Sequence, residues 1–523
     1  MGSCRWSKGI FSAETEGASL MKGIRACFSI FLFACALLAW LPATASQSKR
    51  PRTDITVTTR SARARAHFET GLDKYQTLHV EDALENWRKA TREDPHFALA
   101  HILLSQFAED PTEQVSERDK ALATKKFAGK EEQVVIDWLS ATSKGQWVPA
   151  IQAMNSALHD YGAHKEVVWL AANWLVAQQQ WARSLPLYER LNAMDPNFAD
   201  AWNSAAYSYA HTRQFDKAFA AMQRYTELLP GEPNPHDSFA EISRMAGKFD
   251  DALAHYRASL KIDPSFIVSQ EGLADTYALM GEESRARTEY ATAIAKATNV
   301  QAVTWGLQSA ATYVREGNDA LADLAFEDVA MQARSRGFGN LEAQAYRTMA
   351  MYQRDGAKAR QLLDKALAVL DEEQQVSKVL LDQERAVVLR SRIYRAIQDG
   401  DLPAATATLK QLEDLSGSSA DASVTANFDS ASGAVLLARG EYLDAIMHLE
   451  SDERNPYSLR NLIVAYDGNG AHDQAELAAQ RLAGFNEPTI EQALVVPAFR
   501  RNHGAAPVET KPAGGAISSA RRM

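Results

Sequence analysis

Small, aromatic and proline positions recur at one fixed interval through the middle of this chain. Pro196, Pro230 and Pro264 are each 34 residues apart. The same spacing links Ala206, Ala240 and Ala274, then Phe215 and Phe249, then Ala218, Ala252 and Ala286, then Met222, Tyr256 and Tyr290. An interval of this size is that of a helix–turn–helix unit stacked into a solenoid. A solenoid spends its length on surface, not on an enclosed catalytic pocket. The pattern therefore predicts a protein that holds something, and it predicts helices throughout.

The unit from Ala199 carries Trp202, Ala206, Tyr209, Phe215, Ala218 and Pro230. The unit from Pro233 carries Ala240, Gly247, Phe249, Ala252, Tyr256 and Pro264, and the one from Ile267 carries Leu273, Ala274, Tyr277, Gly281, Ala286, Tyr290 and Ala293. The preceding unit, from Lys165, carries Ala172, Trp181, Tyr188 and Pro196. Small residues belong where the two helices of a unit cross closely, and the aromatic fills the gap to the next unit. Gly247 and Gly281 suit a left-handed turn that ends the first helix. The proline cannot continue a helix and pushes its predecessor out of the α region, so Asp94-Pro95, Asp195-Pro196 and Asp263-Pro264 read as stops.

In these residues the chain resembles the tetratricopeptide repeat family. The resemblance implies an all-α, right-handed superhelix of roughly ten to eleven helix–turn–helix repeats. Well-formed repeats are expected over 64–300, with a charged insertion near 109–130. Degenerate repeats are expected over 301–502, marked by Gly317, Gly356, Gly400, Gly440 and Gly470, and a disordered tail over 503–523. Residues 46–63 read as a basic linker.

Residues 1–45 carry an upstream extension and a leader. Met21–Arg25 is basic, 26–41 is apolar, and the segment ends in Ala43-Thr44-Ala45, which are the parts of a secretory signal peptide. The expected location is therefore exported, periplasmic or secreted. An uncleaved anchor at 26–41 and a lipidated Cys35 are the alternatives, and membrane contact is expected only through them. The three cysteines, Cys4, Cys27 and Cys35, all precede residue 36, so the body can form no disulfide and no thiolate metal site. A net charge of −10 argues against general nucleic-acid binding.

No metalloprotease helix motif, phosphate-binding loop or serine nucleophile elbow occurs. Gly337-Phe338-Gly339 is an isolated fragment. Asp467-Gly468-Asn469-Gly470 lacks the acidic twelfth position of a calcium loop, where Ala478 stands. His236 and His255 fall on different helices without ligand spacing. Neither a catalytic residue, a metal nor a cofactor is expected.

The resemblance implies that partners lie along the inner groove, lined by fixed first-helix positions. In this chain those positions bring Glu166, Trp169 and Asn173 together with Asp200, Asn203 and Tyr207. They also bring Asp237, Glu241 and Arg244 together with Glu271 and Asp275. A clamp for a C-terminal carboxylate would need lysines and asparagines where Trp169, Ser204, Asn234 and Ser238 stand; only Asn173 matches. The acidic lining focuses a negative field and predicts a basic protein or peptide partner. The leading expectation is a non-catalytic interaction scaffold. The alternatives are a regulatory or sensory arm of a separate enzyme or signalling system, and a spacer whose groove is filled by its own tail.

Overall fold

The structure is a computed structural model that describes residues 57–503, apart from 77–78, 109–110, 145, 375 and 420. The leader, most of the basic linker and the tail beyond His503 lie outside the described residues. The described residues form helices and no strand. The first hairpins are α1 (Ala62–Gln76) with α2 (Val80–Glu93), α3 (Ala98–Phe107) with α4 (Pro111–Thr124), and α5 (Lys130–Ser143) with α6 (Trp147–Tyr161). The strict repeat supplies α7 (Lys165–Ala177) with α8 (Trp181–Met194), and α9 (Ala199–His211) with α10 (Phe215–Leu228). It continues in α11 (Asn234–Met245) with α12 (Phe249–Ile262), and α13 (Ile267–Met280) with α14 (Glu283–Ile294).

The looser half has α15 (Asn299–Glu316) with α16 (Asp319–Ser335), α17 (Gly339–Tyr352) with α18 (Gly356–Glu372), and α19 (Lys378–Gln398) with α20 (Leu402–Ser419). It ends in α21 (Ala422–Ala438) with α22 (Tyr442–Leu449), α23 (Pro456–Gly468) with α24 (His472–Ala483), and the single helix α25 (Ile490–His503). The described residues thus hold twelve hairpins, one beyond the sequence count. The addition is α3–α4. The charged segment near 109–130 includes α4, the second helix of a hairpin whose first helix, α3, is buried from Ala98 to Ser105.

The turn inside eight of the hairpins follows from one left-handed residue, and α17–α18 turns without one. Gln179, Arg213, Gly247 and Gly281 have φ of 56, 59, 77 and 82° and stand 34 residues apart. The next N–H reaches back five residues each time: Gln180 to Leu175 (2.8 Å), Gln214 to Tyr209 (2.8 Å), Lys248 to Ser243 (2.8 Å) and Glu282 to Tyr277 (2.9 Å). This is the Schellman closure of a helix end. It recurs after Gly317, Gly400, Gly440 and Gly470, so the looser half keeps the turn when it loses the spacing. Between hairpins, the carboxylates of Asp94, Asp195 and Asp263 accept the N–H two residues on, at 2.8–3.1 Å.

Gln179 is an exposed L-residue in that left-handed position. Gln179→Gly removes a steric cost of about 1–2 kcal/mol, partly offset by the extra freedom of glycine in the unfolded chain. A net stabilisation of about 0.5–1 kcal/mol is expected, read as a higher urea midpoint.

Crossings within hairpins are close because the contact residues are small. Ala206 and Ala218 are fully buried in the α9–α10 hairpin; between hairpins, Gly272 of α13 lies under the ring of Tyr256 of α12, where any Cβ would overlap it. First helices also pack on one another from hairpin to hairpin, α9 on α11, α11 on α13, and α17 on α19. Each second helix packs between its own first helix and the next. The closer row of first helices forms the inner, concave side.

Candidate functional site

The strict repeats place a row of acids on this concave side. Trp169 is buried and its indole N–H donates to Asp200, so this pair belongs to the packing between α7 and α9. Burial pushes the Asp200 carboxyl up to about 6, and the indole hydrogen bond opposes this. Asn173 accepts from the Tyr188 hydroxyl at 2.6 Å. Asn203 is buried, and its carbonyl oxygen has no hydrogen-bond partner among the described residues. Glu166 is half-buried at the start of α7.

The densest cluster spans α9, α11 and α13. The Tyr207 hydroxyl donates to Glu241 at 2.6 Å, and the Ser269 hydroxyl donates to Asp237 at 2.6 Å. Arg244, only 4% exposed, donates to Asp275 at 3.1 Å and lies 3.5 Å from Glu241. The Tyr290 hydroxyl also donates to Asp275. Burial pushes Asp237 up to about 7. Burial, then the adjacent Asp275 charge, pushes Glu271 well above the usual carboxylate range. The expected acidic lining is present in the residues but differs in state. Arg244 and Asp275 form a buried pair, and Asp237 and Glu271 favour their neutral forms.

A cavity of about 330 Å³ opens against this cluster, lined by Asp237, Glu241, Arg244, Glu271 and Asp275 with His211, Met245, Tyr256 and Val268. Its far wall is Glu487, Pro488 and Thr489, from the segment that leads into α25. His211 stacks on Trp181, with ring centroids 3.9 Å apart. Burial, then the nearby Arg454, pushes His211 down to about 3, so it is neutral. Arg244 is therefore the one positive group among the described residues of this wall. His236 and His255, separated in the sequence reading, meet with their Nδ1 atoms 2.9 Å apart across the α11–α12 hairpin. No group of three potential metal ligands occurs among the described residues.

The sequence reading did not anticipate what fills the second half of the concave side. α25 lies there, against α15, α17 and α23. Ile490 and Ala493 share a core with Leu307, Met349 and Val388, while Val495, Val496 and Phe499 share one with Tyr394, Tyr457 and Leu459. The spacer reading gave the groove to residues 503–523; the described occupant is the helix just before them. A signal was present in Ala493-Leu494-Val495-Val496, which is apolar on every side of a helix, as an interior helix must be.

Polar contacts hold the first turn of α25. Glu491 accepts from Arg390 at 3.0 Å and from Arg347 at 3.4 Å, and Arg315 donates to the Gln492 side chain. Arg347 also donates to Glu384 at 2.7 Å. Burial works to raise the Glu491 carboxyl, but Arg347 and Arg390 overcome it and hold the group below its usual range. At the other end Arg500 donates to the Ala483 carbonyl and the Asn486 side chain, each at 2.8 Å. No described helix is long and apolar enough to cross a membrane.

Stacked hairpins closed by a repeated left-handed turn, with a concave row of first helices, define a helical-repeat protein. A tetratricopeptide repeat family model matches residues 170–233. Those residues run from within α7 to just past the end of α10, inside the stretch where the left-handed turn recurs every 34 residues. No curated protein matches the chain in sequence. Similar solved structures include a tetratricopeptide repeat protein from Parabacteroides merdae, 15% identical, covering 59% of this chain and 100% of that one, with a TM-score of 0.34. The Cut9–Hcn1 hetero-tetramer of the APC/C is 16% identical, with coverage of 82% and 78% and a TM-score of 0.39. Yeast Tom70 is 14% identical, with coverage of 80% and 97% and a TM-score of 0.38.

Proposed function

We propose that this chain is an exported, non-catalytic scaffold that holds a basic segment of a partner protein or peptide against α9, α11 and α13. The tetratricopeptide fold supports a protein-interaction scaffold in general terms. The observation that carries the finer reading is the cavity, where Asp237, Glu241, Glu271 and Asp275 surround the Arg244 guanidinium, while Glu487 on the far wall is paired with Arg454 at 3.1 Å. An incoming ammonium or guanidinium would favour the ionised forms of Asp237 and Glu271, which burial alone disfavours. Binding would thus release protons and couple to pH.

The test is calorimetric titration of a short Lys- and Arg-rich peptide into the full chain, with Asp237→Lys/Glu241→Lys as the charge-reversed variant. The variant is expected to weaken binding by about tenfold or more, with a marked salt dependence in the unaltered chain. Equal affinity for both proteins would sink the acidic-groove reading. Export rests on residues 21–45 and is tested separately by fusing residues 1–60 to a reporter that is active only outside the cytoplasm.

A further inference from the structure

We propose that the cavity where the α9–α10 turn meets the last hairpin is a binding site for a free amino acid with an apolar side chain. It borders the acidic cavity at α9–α13 through His211, Met245 and Glu487, but it stands independently of the basic-segment reading.

Three observations carry the inference. First, the cavity is made by the array meeting itself. One wall is the α9–α10 turn with the end of α11. The other is the stretch before α23, the end of α24 and residues 484–487. Its volume is about 270 Å³, below the usual range for a drug-sized ligand and suited to a molecule the size of one residue.

Second, the lining is apolar in one part and carries both signs of charge in another. Met245, Leu459 and Phe485 are buried and present the apolar part. Arg213, Arg454 and Arg481 bring positive charge, and Glu453 and Glu487 bring negative charge. His211 adds none, because it is neutral. A ligand of one sign meets a like charge here, whereas a zwitterion finds a counter-charge for each end.

Third, the pairs within the lining leave capacity of both signs. Arg481 donates to Glu453 and Arg454 to Glu487, each through one terminal nitrogen. The other guanidinium nitrogens of Arg481 and the Oε1 atom of Glu487 make no hydrogen bond among the described residues. Glu487 Oε1 lies 3.9 Å from His211 Nδ1, which is also without a hydrogen-bond partner among them. Arg213 and Arg481 stand on different walls, so a carboxylate seated between them would accept from two guanidinium groups. The ammonium would donate to Glu487, and the side chain would lie on Met245, Leu459 and Phe485.

The experiment is calorimetric titration of the full chain with L-leucine, with the acid that lacks its amino group (4-methylpentanoate) and with the amine that lacks its carboxylate (3-methylbutylamine). L-leucine is expected to bind, and each analogue to bind about tenfold or more weakly than it, because each lacks one charged anchor. Arg213→Gly is the first variant. Position 213 has a φ of 59°, which glycine adopts readily, so the turn is kept and the urea midpoint is not lowered. It is expected to weaken L-leucine binding by about tenfold, and Arg481→Ala, at an exposed residue away from the turn, should do the same. Asp237→Lys/Glu241→Lys should bind L-leucine as the unaltered chain does, so failure of the basic-segment reading leaves this one intact. If 4-methylpentanoate binds as tightly as L-leucine, the cavity takes anions and the proposal is overturned. It also fails if neither L-leucine, L-valine nor L-phenylalanine gives a binding heat at about 1 mM, or if both arginine variants keep the original affinity.

Discussion

Arg347→Met is expected to destabilise the protein by about 3–5 kcal/mol, read as a lower urea midpoint. Arg347 is 4% exposed and is the common donor to Glu384 on α19 and Glu491 on α25. Methionine fills similar volume, so lost packing is a minor part of the effect. The cost comes from two carboxylates left in a low-dielectric interior, Glu384 without its hydrogen-bonding cation and Glu491 with Arg390 alone. Burial already pushes Glu384 upward with Arg347 present. Adding Glu384→Gln to Arg347→Met should therefore recover part of the loss, because it removes the charge that was stranded. If the single and double variants unfold at the same midpoint, the network contributes shape and not charge.

Asp237→Asn is expected to stabilise the protein at pH 8 by about 2–4 kcal/mol and to have little effect near pH 4. The folded pKa of Asp237 lies at about 7, above its ordinary value of 3.8. Between these values the folded state holds a proton that the unfolded state has lost. The contribution is fully present below about 4 and disappears as pH rises through about 7. Asparagine resembles the protonated acid, keeps an oxygen for the Ser269 hydroxyl, and does not titrate. The difference between the two proteins should thus grow from about pH 4 to about pH 7 and then level off. Urea unfolding of both at matched pH isolates this term from His211, His236 and His255, whose values burial depresses and whose influence runs the other way. A pH-independent difference would mean that Asp237 ionises normally in the fold.

The repeat was legible because close helix crossings impose residue size at fixed places. Ala206 and Ala218 are small for a reason that acts within one hairpin, and Gly272 for one that acts between adjacent hairpins, so a repeating sequence displays both. From α15 onward helix length becomes uneven, 18 residues in α15, 21 in α19 and 8 in α22, and the 34-residue spacing dissolves. The glycine at the turn survives because its constraint is the left-handed backbone, not the length of the arms. α3 escaped notice because Ala98–Ser105 is buried on all sides and shows no face, while its partner α4 is charged. The acids of the groove were readable as positions. Their state was not, since it depends on burial and on hydrogen bonds from Ser269 and Tyr290 on neighbouring helices, which position alone does not reveal. Arg315, Arg347 and Arg390 carry no sequence signal of burial, since arginines on helices are commonly exposed. Only the helix laid over them makes them interior.

That last helix also sets an order of events during synthesis. Each hairpin can settle on the one before it as it leaves the ribosome, because its contacts are with near neighbours. α25 cannot take part until the segment after α24 has emerged. The entropic cost of closing so long a loop grows only slowly with its length, so the delay is one of time and not of energy. Until α25 arrives, Arg315 and Arg390 lack the Gln492 and Glu491 side chains that meet them in the finished fold, while Arg347 already has Glu384. Docking of α25 is what completes these pairs.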